Sequence, residues 1–135
     1  MSPEIKPEVA SAIDEIRRAY PSSEVEVTPD PDGGAYVKVS NLHIGSQFNP
    51  ATSWCLFRIT FQYPFADVYP HYFVDGLQKV SGEPQPQGIH VGNPCDVNGV
   101  NHPATMVSRR SNRLNPATDT AALKLQKVLD WIRTQ

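Results

Sequence analysis

The sequence predicts an α+β domain: an N-terminal helix, a four-strand antiparallel meander, a long loop and a C-terminal helix, all within residues 1–135. Three observations carry this reading. Apolar residues recur at helical spacing near both ends, at Val9, Ala12, Ile13 and Ile16 and again at Ala121, Leu125, Val128, Leu129 and Ile132. Between them, several segments alternate apolar and polar residues with period two. The first two of these segments are separated by Asp30-Pro31-Asp32-Gly33-Gly34, a run of turn formers that favours a hairpin. At 135 residues the chain is long enough for one hydrophobic core without staples and too short to suggest a second domain.

The first helix is expected from Pro7 to Tyr20, with Pro21 stopping it. Its charged residues Glu8, Asp14, Glu15, Arg17 and Arg18 lie mostly off the apolar face. Glu24 to Thr28 and Tyr36 to Val39 follow as an antiparallel hairpin, with Val25, Val27, Val37 and Val39 directed to the core. Ser53 to Gln62 reads as the next strand, with Phe57, Ile59 and Phe61 on the buried side and Arg58, Thr60 and Gln62 facing water. Tyr63-Pro64 and Tyr69-Pro70 then interrupt ladder pairing, because proline has no N–H to give. A short strand is expected near Tyr72 to Val74. Residues 81–103 are rich in Pro, Gly and Asn and read as one long loop, which in a compact domain is usually functional or an insertion. Thr105 to Ser108 suggests a short extended piece. The last helix is expected to begin near Asn115-Pro116, with Asn as N-cap and Pro in the first turn.

Composition excludes several function classes. A formal charge of −2, with no run of Lys or Arg, argues against a nucleic-acid or anionic-membrane surface. No apolar run approaches the roughly 20 residues that span a bilayer, and the first residues lack a positive-then-apolar signal, so a soluble, cytoplasmic protein is expected. Cys55 lies within a predicted strand and reads as a buried, reduced thiol. His43, His71, His90 and His102 lack the close spacing of a zinc site, and no glycine motif suited to phosphate opens a helix, so no metal or cofactor is expected.

The strand ending in Tyr63-Pro64, the turn through Tyr69-Pro70, the returning strand and then His102-Pro103 occur in the order found in ubiquitin-conjugating (E2) domains. The chain is most similar to divergent prokaryotic E2 families encoded in bacterial operons beside E1-like, ubiquitin-like and JAB-type peptidase proteins. In that comparison Val107-Ser108-Arg109-Arg110 precedes the turn Leu114-Asn115-Pro116-Ala117-Thr118-Asp119 as a Ser-Arg-His step does in one such family. The resemblance spans nearly the whole chain and implies a UBC-like (E2) fold. It also implies an activity, transfer of an activated ubiquitin-like protein from an E1-like enzyme to a target. The implied partners are the E1-like enzyme, meeting the first helix around Asp14, Arg17 and Arg18, the ubiquitin-like protein, and a JAB-type or other peptidase.

Two departures from the E2 pattern redirect the chemistry. Ala104 follows His102-Pro103 where ordinary E2s have the asparagine that helps hold the oxyanion, and no cysteine follows His102. Ser108 stands in the segment where the thiol would be, so an oxyester in place of a thioester is the expected linkage. A serine hydroxyl is weak at neutral pH and needs a base and stabilised developing charge. His102 is the expected proton carrier, and Arg109 or Arg110 the expected oxyanion partner. Cys95, in a polar, exposed loop beside Asp96, is the rival nucleophile, although the neighbouring carboxylate disfavours its thiolate. Alternatives to an enzyme are a catalytically silent E2-variant or RWD-like binding module and an unrelated α+β adaptor.

Overall fold

A computed structural model describes residues 4–135. Its elements run α1 (Pro7–Ala19), β1 (Val25–Pro29), β2 (Ala35–His43), β3 (Phe48–Asn49), β4 (Thr52–Ile59), β5 (His71–Phe73), β6 (Gln78–Lys79), β7 (Ile89–His90), β8 (Cys95–Val97), β9 (Val100–His102), β10 (Thr105–Val107) and α2 (Ala121–Arg133). Six strands form one sheet in the order β1-β2-β4-β5-β10-β7, and every pairing in it is antiparallel. The α+β reading, with a helix at each end of an antiparallel sheet, therefore holds. The sheet has two strands more than the expected four.

Both helices cover one face of the sheet. Val9, Ala12, Ile13 and Ile16 of α1 and Leu125, Val128, Leu129 and Ile132 of α2 meet Val37, Val39, Phe57, Ile59, Phe73 and Val107 in a single core. The pleat sends alternate residues the other way. There Tyr36 and Leu56 lie under Cys95 and Val97 of the β8–β9 hairpin, which folds onto the outer face as a small second cluster.

Local chemistry sets the boundaries. Asp30 is fully buried and its Oδ1 accepts the backbone N–H groups of Asp32 and Gly34 at 2.8 and 2.9 Å, closing the β1–β2 turn. Its Oδ2 accepts Arg58 Nε at 2.9 Å. Burial alone would raise the Asp30 pKa, but the Asp32 and Gly34 N–H groups and the Arg58 guanidinium hold it below the ordinary carboxylate range. Thr120 caps α2 by accepting the Leu123 N–H, and the Tyr63 hydroxyl accepts the Ala121 N–H at 3.1 Å. A tyrosine of the first Tyr-Pro step thus secures the start of the last helix.

Four expectations need correction. β4 ends at Ile59 because a turn begins at Thr60, whose carbonyl accepts the Tyr63 N–H; Phe61 is left 42% exposed, with Lys6 Nζ over its ring. Val25 and Val27 do face the core and pack against it, but they are half-buried instead of mostly buried, because β1 is the outermost strand. Asn115-Pro116 does not start α2. Asn115 closes its own turn instead, its Oδ1 accepting the Ala117 N–H and its carbonyl the Asp119 N–H, and the helix waits for the cap at Thr120. Residues 81–103 are not a structureless loop. They contain β7 and the β8–β9 hairpin, turned by Asn98-Gly99 with positive φ at both residues.

Candidate functional site

The strand pair β7–β10 at one edge of the sheet builds the site. Gly88 turns the chain into β7 at φ +98°, and its carbonyl accepts the Ser108 N–H at 2.9 Å, extending the ladder just past β10. A Cβ at Gly88 would stand 3.2 Å from the Trp131 ring, so the close approach of α2 also favours glycine there. In this register His90 lies opposite Met106. Ser108 is two residues beyond Met106, on the same face and diagonal to His90, within reach of a long side chain. The Ser108 Oγ and His90 Nε2 are 3.0 Å apart. With the imidazole proton on Nδ1, the Ser108 hydroxyl donates to Nε2.

His102, the expected proton carrier, is elsewhere. It pairs with Cys95 across the β8–β9 hairpin and lines a shallow recess on the outer face with Glu26, Thr28, Tyr36, Lys38, Leu56 and Val97. The hairpin carries it onto the sheet and leaves His90 beside Ser108. His90 was missed because the two short strands that align it with Ser108 show no period-two pattern.

Cys95 is buried instead of exposed, packed against Tyr36 and Leu56. Burial, and then the Asp96 carboxylate, push its thiol up to about 11, which leaves little thiolate at neutral pH. Cys55 is fully buried in β4, and desolvation raises its pKa well above the ordinary thiol value.

Both arginines after Ser108 stack on aromatic rings. The Arg109 guanidinium lies 4.6 Å from the Trp131 ring centroid and that of Arg110 lies 4.7 Å from Tyr69. The segment that carries them is tied down at Ser111. Its N–H and Oγ–H donate to Asp67 at 2.7 and 2.9 Å, and Lys124 Nζ donates to both Asp67 oxygens and to Ser111 Oγ. Burial opposes the Asp67 charge, but Ser111 and Lys124 outweigh it and hold the carboxyl below its ordinary range.

Among the described residues no group of three His, Cys, Asp or Glu side chains is placed to hold a metal, and no helix is long and apolar enough to cross a membrane. Comparison with protein-family models, curated proteins and solved structures finds no match.

Proposed function

We propose that this chain is an E2-like conjugating protein of the UBC fold whose nucleophile is Ser108 and whose base is His90. The observation that carries the reading is the 3.0 Å contact between Ser108 Oγ and His90 Nε2, in the segment where an E2 would have its cysteine. The order helix, antiparallel sheet, Tyr-Pro turn and closing helix supports the same reading.

Ser108 Oγ attacks the thioester carbonyl that joins the ubiquitin-like protein to its E1-like enzyme. His90 Nε2 takes the hydroxyl proton as the C–O bond forms. The tetrahedral intermediate collapses with cleavage of the C–S bond, and the departing E1 thiolate receives that proton. An acceptor amine then displaces Ser108 from the oxyester, and the serine oxygen regains a proton. Arg109 and Arg110 follow the nucleophile directly and supply positive charge near the developing oxyanion.

A silent binding module is the second reading. Phe61 and Phe65 stand exposed beside Lys6 and Glu8 around a cleft of ≈ 440 Å³, a surface that suits a protein partner without any chemistry at Ser108.

The deciding experiment incubates the chain with ATP, an E1-like enzyme and a ubiquitin-like protein from the same organism. A covalent adduct that survives thiol reductant, is lost in hydroxide and maps by mass spectrometry to Ser108 is expected. Ser108→Ala should abolish it and Cys95→Ala should not. No adduct with a demonstrably active E1 would overturn the enzyme reading in favour of the binding module.

A further inference from the structure

Five of the chain's twelve Lys and Arg side chains line one cleft of ≈ 220 Å³ between the segment after β10 and the helix α2. Arg109, Arg110 and Arg113 come from the segment, and Lys124 and Lys127 from the helix. Two carboxylates oppose them. Asp67 is 3.0 Å from Lys124, and Asp119 is 3.9 Å from Lys127. Five cations against two anions leave three positive charges in this cleft, on a chain whose formal charge is −2. Among the described residues no carboxylate lies within salt-bridge distance of Arg109, Arg110 or Arg113.

The arginines are also held in place. Stacking on Trp131 and Tyr69 covers one face of each of two guanidinium groups and leaves their N–H edges to a ligand. The Asp67–Lys124–Ser111 network anchors the backbone that carries them, so little ordering remains to be done on binding. Trp131, half-buried at the end of α2, adds an apolar wall.

We propose that this cleft binds an acidic peptide segment of a protein partner, several Asp or Glu side chains meeting the arginines and one apolar side chain resting on Trp131. Cations spread over two elements suit separate carboxylates along a chain better than one compact phosphate, and Asp119 at the rim opposes a phosphate dianion. The confined patch does not extend into the stripe that would follow a nucleic-acid backbone. The cleft shares Arg109 and Arg110 with the chemistry proposed at Ser108 but not the serine itself, and Arg113, Lys124 and Lys127 belong to the cleft alone.

The test titrates the full chain with a short synthetic peptide of glutamates around a central leucine, read by tryptophan fluorescence and by the NMR shift of the Trp131 indole N–H. Saturable binding that weakens with salt is expected, together with a shift at Trp131 and none at Trp54. The Arg113→Glu/Lys127→Glu double variant should keep the melting temperature and lose about tenfold or more in affinity. Arg17→Glu/Arg18→Glu, on the exposed face of α1, should bind the peptide as the unaltered chain does. No binding at low salt, unchanged affinity in the Arg113/Lys127 variant, or tighter binding of polyphosphate or a single-stranded oligonucleotide under the same conditions would each overturn the proposal.

Discussion

His90 reaches Ser108 across the β7–β10 strand pair, with Nε2 3.0 Å from Oγ, although 18 residues separate them in the chain. The pair is made by register: His90 faces Met106, and Ser108 is the next residue on that face. The histidine in contact with Ser108 is therefore the one on the adjoining strand, and not the one before a proline.

Replacing the two histidines in turn separates them. His90→Ala should slow adduct formation on Ser108 by about a hundredfold or more, the usual scale for a lost general base. His102→Ala should leave the rate within about twofold, since His102 sits on the β8–β9 hairpin and has no contact with Ser108. Single-turnover kinetics of acylation checks both.

Ile59 and Phe61, two positions apart in one alternating run, should respond very unequally to truncation. Ile59 is fully buried, and Ile59→Ala should cost roughly 2–5 kcal/mol. Phe61→Ala should cost under about 1 kcal/mol, because its ring lies on the surface outside the core and is already 42% exposed. Urea denaturation of the two variants measures the difference.

Gly34→Ala tests the turn around Asp30. An added Cβ would overlap the Ile59 carbonyl oxygen and stand 2.6 Å from Asp30 Oδ2. Neither neighbour is free to move, since Asp30 is held by two backbone N–H groups and by Arg58. A loss of about 1–3 kcal/mol is expected, read as a lower urea midpoint at unchanged m-value.

His71 makes stability depend on pH. Its ring is fully buried beside Phe57, neither ring nitrogen has a hydrogen-bond partner, and burial, then the nearby Lys124 charge, depress its pKa to about 3. The unfolded chain takes up a proton near the ordinary value of about 6.5 while the folded chain stays neutral. The stability supplied by the neutral ring is therefore complete above that value and is lost as pH falls toward 3, at up to about 1.4 kcal/mol per pH unit. His71→Leu should flatten this part of the pH profile without loss of stability at neutral pH. Urea midpoints between pH 3 and 7 that keep the original slope in the variant would assign the dependence to other groups.

Legibility followed the length of each element. The helix from Pro7 and the Val37–Val39 strand were readable because long periodic runs meet strong stop signals, Pro21 and Asp30 to Gly34. β7, β9 and β10 have only two or three residues each, too few to show a period, and their pairing comes from the tertiary fold. One signal in residues 81–103 was strong and passed over. Val97-Asn98-Gly99-Val100 is the Asn-Gly hairpin turn flanked by β-branched residues, and it places Cys95 and His102 face to face on the outer cluster. Ser108 and its two arginines were visible in the sequence; their aromatic supports, Trp131 and Tyr69, were not, because stacking across elements leaves no local pattern.

β7 is the outermost strand of the sheet and joins β10 through only two residue pairs. Edge strands of this kind open first when a protein is warmed, well before its core yields. The proposed base thus rides on one of the least secured strands of the sheet, while the proposed nucleophile follows a strand paired on both sides. Warming should separate the two partners while α1, α2 and the central strands remain folded. Reactivity at Ser108 would then disappear at a lower temperature than helical circular dichroism, and the gap between those two temperatures measures how loosely the edge is held.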